Sequence, residues 1–128
     1  MDEVYIGSCT NGSLEDLKAA ADILRGKKVA NHVRVIVVPA TNTVFKEAIE
    51  KGYIKDFIEA GCVISHPCCG LCCGMPYGLM YDDERILLTA NRNFIGRQGT
   101  KKTLGYLSSP AVAAATALTG VVTDPRTL

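Results

Sequence analysis

The sequence predicts an α/β protein, a three-layer α/β/α arrangement around a mainly parallel sheet. Three observations carry that expectation. Short β-rich runs alternate with stretches of helical periodicity along the chain. One run, Val33-Arg34-Val35-Ile36-Val37-Val38, is nearly continuous in apolar side chains, as a strand covered on both faces must be. Small polar or glycine-bearing loops follow several strands, which is where open α/β sheets hold their ligands.

The elements follow in order. Val4-Tyr5-Ile6 reads as a first strand running into Gly7-Ser8-Cys9-Thr10-Asn11-Gly12. Ser13 then caps a helix, with Asp16 three residues on completing a capping-box pair. Leu14, Leu17, Ala21 and Leu24 give that helix one apolar face, and Gly26 sits where a terminating glycine belongs. Pro39 ends the Val33–Val38 strand because it has no N–H to offer a ladder. Asn42 or Thr43 is expected to cap a helix carrying Val44, Phe45, Ala48 and Ile49, stopped by Gly52. Residues 53–60 form another short helix with Ile54, Phe57 and Ile58 on one face and Gly61 after it. Cys62-Val63-Ile64 is a third strand, leading through His66-Pro67 to a cysteine loop, and Arg85-Ile86-Leu87-Leu88-Thr89 is a fourth. Residues 90–103 read as a polar loop. Pro110 opens an alanine-rich helix over residues 111–118, which Gly120 stops.

The pattern contains no internal repeat, low-complexity tract or linker, so residues 1–128 are expected to form a single α/β domain. Hydrophobic residues make up 48% and charged residues 21%, which argues against disorder. Fourteen basic and thirteen acidic residues leave a net charge of +1, so nucleic acid is not an expected partner. No apolar run is long enough for a bilayer, and Met1-Asp2-Glu3 lacks the basic start of a signal peptide. The expectation is a soluble, cytoplasmic protein without membrane contact.

Six cysteines concentrate the chemistry. Cys68, Cys69, Cys72 and Cys73 fall within six residues, with Cys9 and Cys62 apart. Thiols clustered in this way, without an export signal, read as metal or cluster ligands before staples. Cys69-Gly70-Leu71-Cys72 is a C-x-x-C whose glycine lets the backbone curl around a metal centre. Three chemistries share that motif. A closed zinc site needs four ligands, for which Cys9 and His66 are candidates beside the pair. A redox dithiol would open a helix, which Gly74, Pro76 and Gly78 disfavour. An iron–sulfur cluster suits soft thiolates on a glycine-bearing loop. Three thiolates on a four-iron cube would leave one iron open to a substrate hydroxyl and carboxylate.

Asn91-Arg92-Asn93-Phe94-Ile95-Gly96-Arg97-Gln98-Gly99 is the second signal, because two guanidiniums on one loop can clamp carboxylates bidentately. Taken alone it reads first as a solvated loop with surface arginines, and the thiol cluster and strand end beside it add weight to the carboxylate clamp. His66 is expected to be a partly buried loop residue, His32 a surface residue, and Cys62 a small core hydrophobe.

Four ordered motifs carry a resemblance. Ile6-Gly7-Ser8-Cys9-Thr10-Asn11-Gly12, Cys69-Gly70-Leu71-Cys72 with Gly74, Asn91-Arg92-Asn93-Phe94-Ile95-Gly96-Arg97 and Leu107-Ser108-Ser109-Pro110 occur in this order in the aconitase superfamily. The chain resembles the third, cluster-carrying domain of that superfamily. It is most similar to the C-terminal part of the large subunits of its 3-isopropylmalate dehydratase and homoaconitase branch. Thr123-Asp124-Pro125-Arg126 is similar to the end of such subunits. The resemblance implies an iron–sulfur hydro-lyase that isomerises a hydroxy-di- or tricarboxylic acid by dehydration and rehydration, as in leucine biosynthesis. It implies a 4Fe-4S cluster held by Cys9, Cys69 and Cys72, with Asn91 hydrogen-bonding beside it and Arg92 and Arg97 on substrate carboxylates. Cys68, Cys73 and Leu71 depart from the family pattern. The resemblance also implies further catalytic residues on other domains and on a swivelling domain or small subunit, so this chain alone is expected to be inactive, whether excised or naturally split. A non-catalytic zinc or cluster module, structural or sensing, is the alternative reading.

Overall fold

A computed structural model describes residues 1–74 and 77–128. Strands β1 (Glu3–Gly7), β2 (Arg34–Val38), β3 (Val63–Ile64), β4 (Arg85–Leu88) and β5 (Leu104–Leu107) form one sheet in the order β3-β2-β1-β4-β5. Every pairing is parallel, with Val4 opposite Val35 on one side and Leu87 on the other. The helices are α1 (Leu14–Leu24), α2 (Asn42–Glu50), α3 (Tyr53–Ala60) and α4 (Pro110–Thr119).

Alternation along the strands divides the core in two. Val4, Ile6, Val35, Val37 and Leu87 meet Leu17, Ala21, Leu24, Phe57 and the alanines of α4 on one face. Ala113, Ala114 and Ala117 are fully buried, and their small side chains let α4 come close to both β1 and α1. Tyr5, Ile36, Val38, Ile86 and Leu88 point to the other face, where Leu71 and Met80 cover them. The expected α/β/α layering is met with unequal outer layers. The four helices join the first cluster, and among the described residues the second is closed by the 3-10 turn Gly70–Cys73 and by Met80.

The helix ends largely follow the sequence. Ser13 Oγ accepts from Asp16 N at 3.2 Å and Asp16 Oδ2 accepts from Ser13 N at 3.2 Å, the expected reciprocal cap. The cap of α2 is a correction: Thr41, not Asn42 or Thr43, accepts from Val44 N at 3.1 Å. The helix starts almost directly after β2, so Asn42 and Thr43 already lie within its first turn. Ile58 and Ile49 are also corrected, being 60% and 54% exposed. Helices α2 and α3 are short and bury only a narrow stripe, led by Ala48 on one and Ile54 and Phe57 on the other. Strand β5 has no announcement in the pattern. It lies on the sheet edge, and Leu104, Tyr106 and Leu107 are each more than two-fifths exposed, so no buried alternation marks it. Among the described residues no helix is long and apolar enough to cross a membrane.

Candidate functional site

The chain builds the sheet outward from β1 to β2 and β3, then returns to the other side of β1 for β4 and β5. The crevice between the carboxyl ends of β1 and β4 is therefore the topological switch point of the sheet. The three loops singled out in the sequence meet there.

The loop after β1 is shaped by close packing against β2. A Cβ on Gly7, at φ +99°, would stand 2.0 Å from the Val38 carbonyl oxygen, and one on Gly12 would stand 2.4 Å from the same atom. Only glycine fits at either end. Between them Ser8 is buried, and its Oγ accepts from Asn11 N at 3.1 Å, curling the loop so that Cys9 is exposed. The loop is tied to β4 as well, because Gly7 N donates to Thr89 Oγ1 at 2.8 Å. Asn11 Nδ2 donates to the Thr89 carbonyl at 2.6 Å and to Asn91 Oδ1 at 2.7 Å, and Asn91 Nδ2 donates to Thr10 Oγ1 at 3.1 Å.

The cysteine loop is anchored from below. Leu71 is fully buried, and its N–H donates to the Tyr5 hydroxyl at 3.2 Å. With Leu71 driven into the core, Cys69 and Cys73 are left exposed and Cys72 is half-buried against the Tyr5 cluster. Gly70 has φ +52°, and a Cβ there would overlap the Tyr5 hydroxyl at 2.1 Å. Gly74, at φ +74°, ends the turn. The expected glycine-driven break is thus present, while Pro76 lies outside the described residues. The Cys9 thiol stands beside Cys69 and is the main cause pushing that thiol above the ordinary cysteine range, with Cys73 adding to it. All six cysteines are free.

The arginine loop closes the third side. A Cβ on Gly74 would meet the Arg97 carbonyl oxygen at 3.0 Å, so this loop lies against the end of the cysteine turn. The Arg97 guanidinium sits 4.7 Å from the Phe94 ring centre and that of Arg92 5.8 Å from it. One aromatic ring therefore lies within cation–π range of two cations on the same loop. Among the described residues neither guanidinium has a carboxylate in ion-pair range.

Cys9, Cys69, Asn91 and Arg97 are thus drawn to one edge, with Cys72 on the same turn as Cys69 and Arg92 on the loop of Arg97. His66 is corrected to exposed and packs edge-on against Phe45 of α2, ring centres 5.8 Å apart. His32 is exposed, as expected. Cys62 is buried, and burial pushes its thiol up to about 12, in keeping with a core role. Sequence reasoning passed over Ser8, Asn11, Thr89 and Tyr5. The first two lie inside a quoted motif, so their small polar side chains were the available signal. Tyr5 reads only as a strand residue.

Among the described residues no three His, Cys, Asp or Glu side chains converge on one metal-sized point. The donor set nevertheless fits a thiophilic centre in its chemistry: free thiols from two loops, two of them already neighbours, on a turn whose backbone only glycine can form.

The fold is thus that of an α/β domain with an all-parallel sheet, whose switch point carries exposed thiols and two guanidiniums. The chain matches the aconitase family (aconitate hydratase) over residues 1–120. It is 53% identical over 126 residues to the 3-isopropylmalate dehydratase large subunit 1 of Archaeoglobus fulgidus. It is 52% identical over 128 residues to the large subunit of Nitratiruptor, and 54% identical over 126 residues to that of Clostridium botulinum. These matches cover 98 to 100% of this chain and 30% of each relative. The chain belongs to the aconitase family.

Proposed function

We propose that residues 1–128 form one α/β domain of an iron–sulfur hydro-lyase of the 3-isopropylmalate dehydratase type, with Cys9, Cys69 and Cys72 holding a 4Fe-4S cluster. The observation that supports it best is the meeting of three loops at the switch point, which sets the Cys9 and Cys69 thiols together beside the loop of Arg92 and Arg97. A cluster bound by three thiolates supplies a Lewis-acidic iron for the leaving hydroxyl of the substrate. The remaining work assigned to this chain is binding. Arg92 and Arg97 grip the carboxylates of a small hydroxy-acid, both guanidiniums resting no more than 5.8 Å from the Phe94 ring centre. Asn91 holds polar donors beside Cys9 through Thr10. The groups that move protons, and the partner domains or small subunit, belong to the rest of an enzyme of which this chain matches 30%. The cytoplasm is the proposed location.

The test is anaerobic loading with iron and sulfide, followed by electron paramagnetic resonance before and after mild oxidation. A three-iron signal that appears on oxidation and vanishes when ferrous iron is restored is the expected result, and Cys69→Ser abolishes it. A site that takes tight zinc in place of the cluster, with or without the partner domains, sinks the hydro-lyase reading in favour of a structural metal module.

A further inference from the structure

We infer that Asn11 is a positioning residue of this site: it fixes the orientation of the Asn91 amide and, through it, turns the Thr10 hydroxyl into a hydrogen-bond donor to Cys9. The inference starts from one backbone atom. The Thr89 carbonyl can only accept, so the Asn11 side-chain atom 2.6 Å from it is the amide nitrogen. That nitrogen also lies 2.7 Å from Asn91, and a group already donating there requires an acceptor, so the Asn91 atom facing it is Oδ1. The Asn91 amide nitrogen is thereby turned the other way, onto Thr10 Oγ1 at 3.1 Å. Thr10 Oγ1 now accepts, which leaves its own proton free, and Cys9 Sγ lies 3.8 Å from it. A deprotonated sulfur has no proton to offer, so toward a thiolate the direction of this last contact is settled.

The first three links pass from one strand end to the other across the switch point, from the end of β4 to the β1 loop, back to the β4 loop and again to the β1 loop, and the last joins Thr10 to its neighbour Cys9. The same asparagine therefore sets an amide orientation and ties two loops. Loss of the Asn11 amide should release Asn91 to rotate, whereas loss of the Thr10 hydroxyl should leave the Asn11–Asn91 pair in place. The effect on a bound centre rests on the proposed cluster function, since hydrogen bonds to ligand sulfur raise a cluster's reduction potential. The orientation itself does not rest on it.

Nuclear magnetic resonance of the reduced, metal-free, isotope-labelled chain tests the orientation. In the native chain the two Asn91 side-chain amide protons should be well separated in shift and show through-space contacts to Thr10. In Asn11→Ala they should collapse toward free-amide positions, and in Asn11→Asp, whose carboxylate can only accept, the amide should turn round toward residue 11; both variants should lose the contacts to Thr10 while backbone spectra stay native. In Thr10→Val the contact of the Asn11 amide with Asn91 should persist. After loading with iron and sulfide, Thr10→Val should shift the potential down, Thr10→Ser should restore it, and adding Asn11→Ala to Thr10→Val should lower it no further. Unaltered Asn91 amide signals in both Asn11 variants overturn the inference, as does a potential that Thr10→Val leaves unmoved. If no cluster forms, the proposed function fails while the amide signals still decide this one.

Discussion

Beneath the cysteine turn, one tyrosine hydroxyl decides which side chains go in and which stay out. The Tyr5 hydroxyl takes the Leu71 N–H, and Gly70 passes so close above it that no side chain fits. Tyr5→Phe should cost about 1 kcal/mol, the net value of one buried hydrogen bond. Gly70→Ala adds a left-handed backbone strain and a steric overlap, and should cost about 2–3 kcal/mol. Because the overlap is chiefly with the hydroxyl, the double variant should recover part of that cost. Urea unfolding of the four proteins measures the cycle. Glu3 offers a second measurement. It is fully buried, one oxygen meets Arg34 Nε at 3.1 Å, and Oε1 has no partner among the described residues. Burial pushes its carboxyl up to about 7 against the pull of Arg34, which Glu84 shares. The folded state thus holds this proton more tightly than the unfolded chain. The stability this group contributes is complete below about pH 4.5 and is lost as pH rises through about 7. Glu3→Gln should remove that slope, worth on the order of 3 kcal/mol at most. Glu84 is held below the usual carboxylate range, mainly by its hydrogen bond to Arg34, and its contribution runs in the opposite direction at lower pH. The difference between the two proteins' stability–pH curves is therefore the quantity to read.

At the scale of elements, what could be read in advance was whatever has a local cause. The α1 capping box is a contact between residues three apart, so Ser13 and Asp16 announced it, and Ser13→Ala should cost about 1 kcal/mol in the same unfolding assay. The end of α4 follows in the same way from Gly120 at φ +79°. The misses have non-local causes. Thr41 caps α2 because of where β2 delivers the chain, and Ile58 is exposed because nothing described packs over that side of α3. Strand β5 exists by pairing with β4 and shows no buried face of its own. Its amides should therefore exchange with deuterium faster than those of β1, which is paired on both sides; equal protection would show that the edge is covered in solution. Beside β3, Cys62 should resist alkylation in the native protein and react on unfolding, while the exposed Cys9 reacts in both states.

At the scale of the whole molecule, the described residues leave the candidate site as an open edge and not a closed chamber. The arginines are on the surface loop, the thiols at the candidate site are exposed or half-buried, and the chain spans 30% of the length of its relatives. The purified chain should therefore show no dehydratase turnover with 3-isopropylmalate even after cluster loading. On the proposed function, activity should appear only when the remaining parts of such a hydro-lyase are supplied. Turnover by the chain alone, followed by product formation, would overturn that division of labour.

The sequence by itself determined the α/β class, most of the elements and the identity of the thiols and arginines. These depend on side-chain period, capping residues and short motifs, all of which act over a few neighbouring positions. Only the tertiary structure decided that the loops after β1, β3 and β4 share one edge, because strand order is a property of pairing between distant segments. It also decided that Tyr5 supports the cysteine turn, that Gly74 lies against the arginine loop, and that Asn11 reaches across to Asn91. Each of these is a contact between residues 23 to 80 positions apart, made only when the sheet brings their strand ends together.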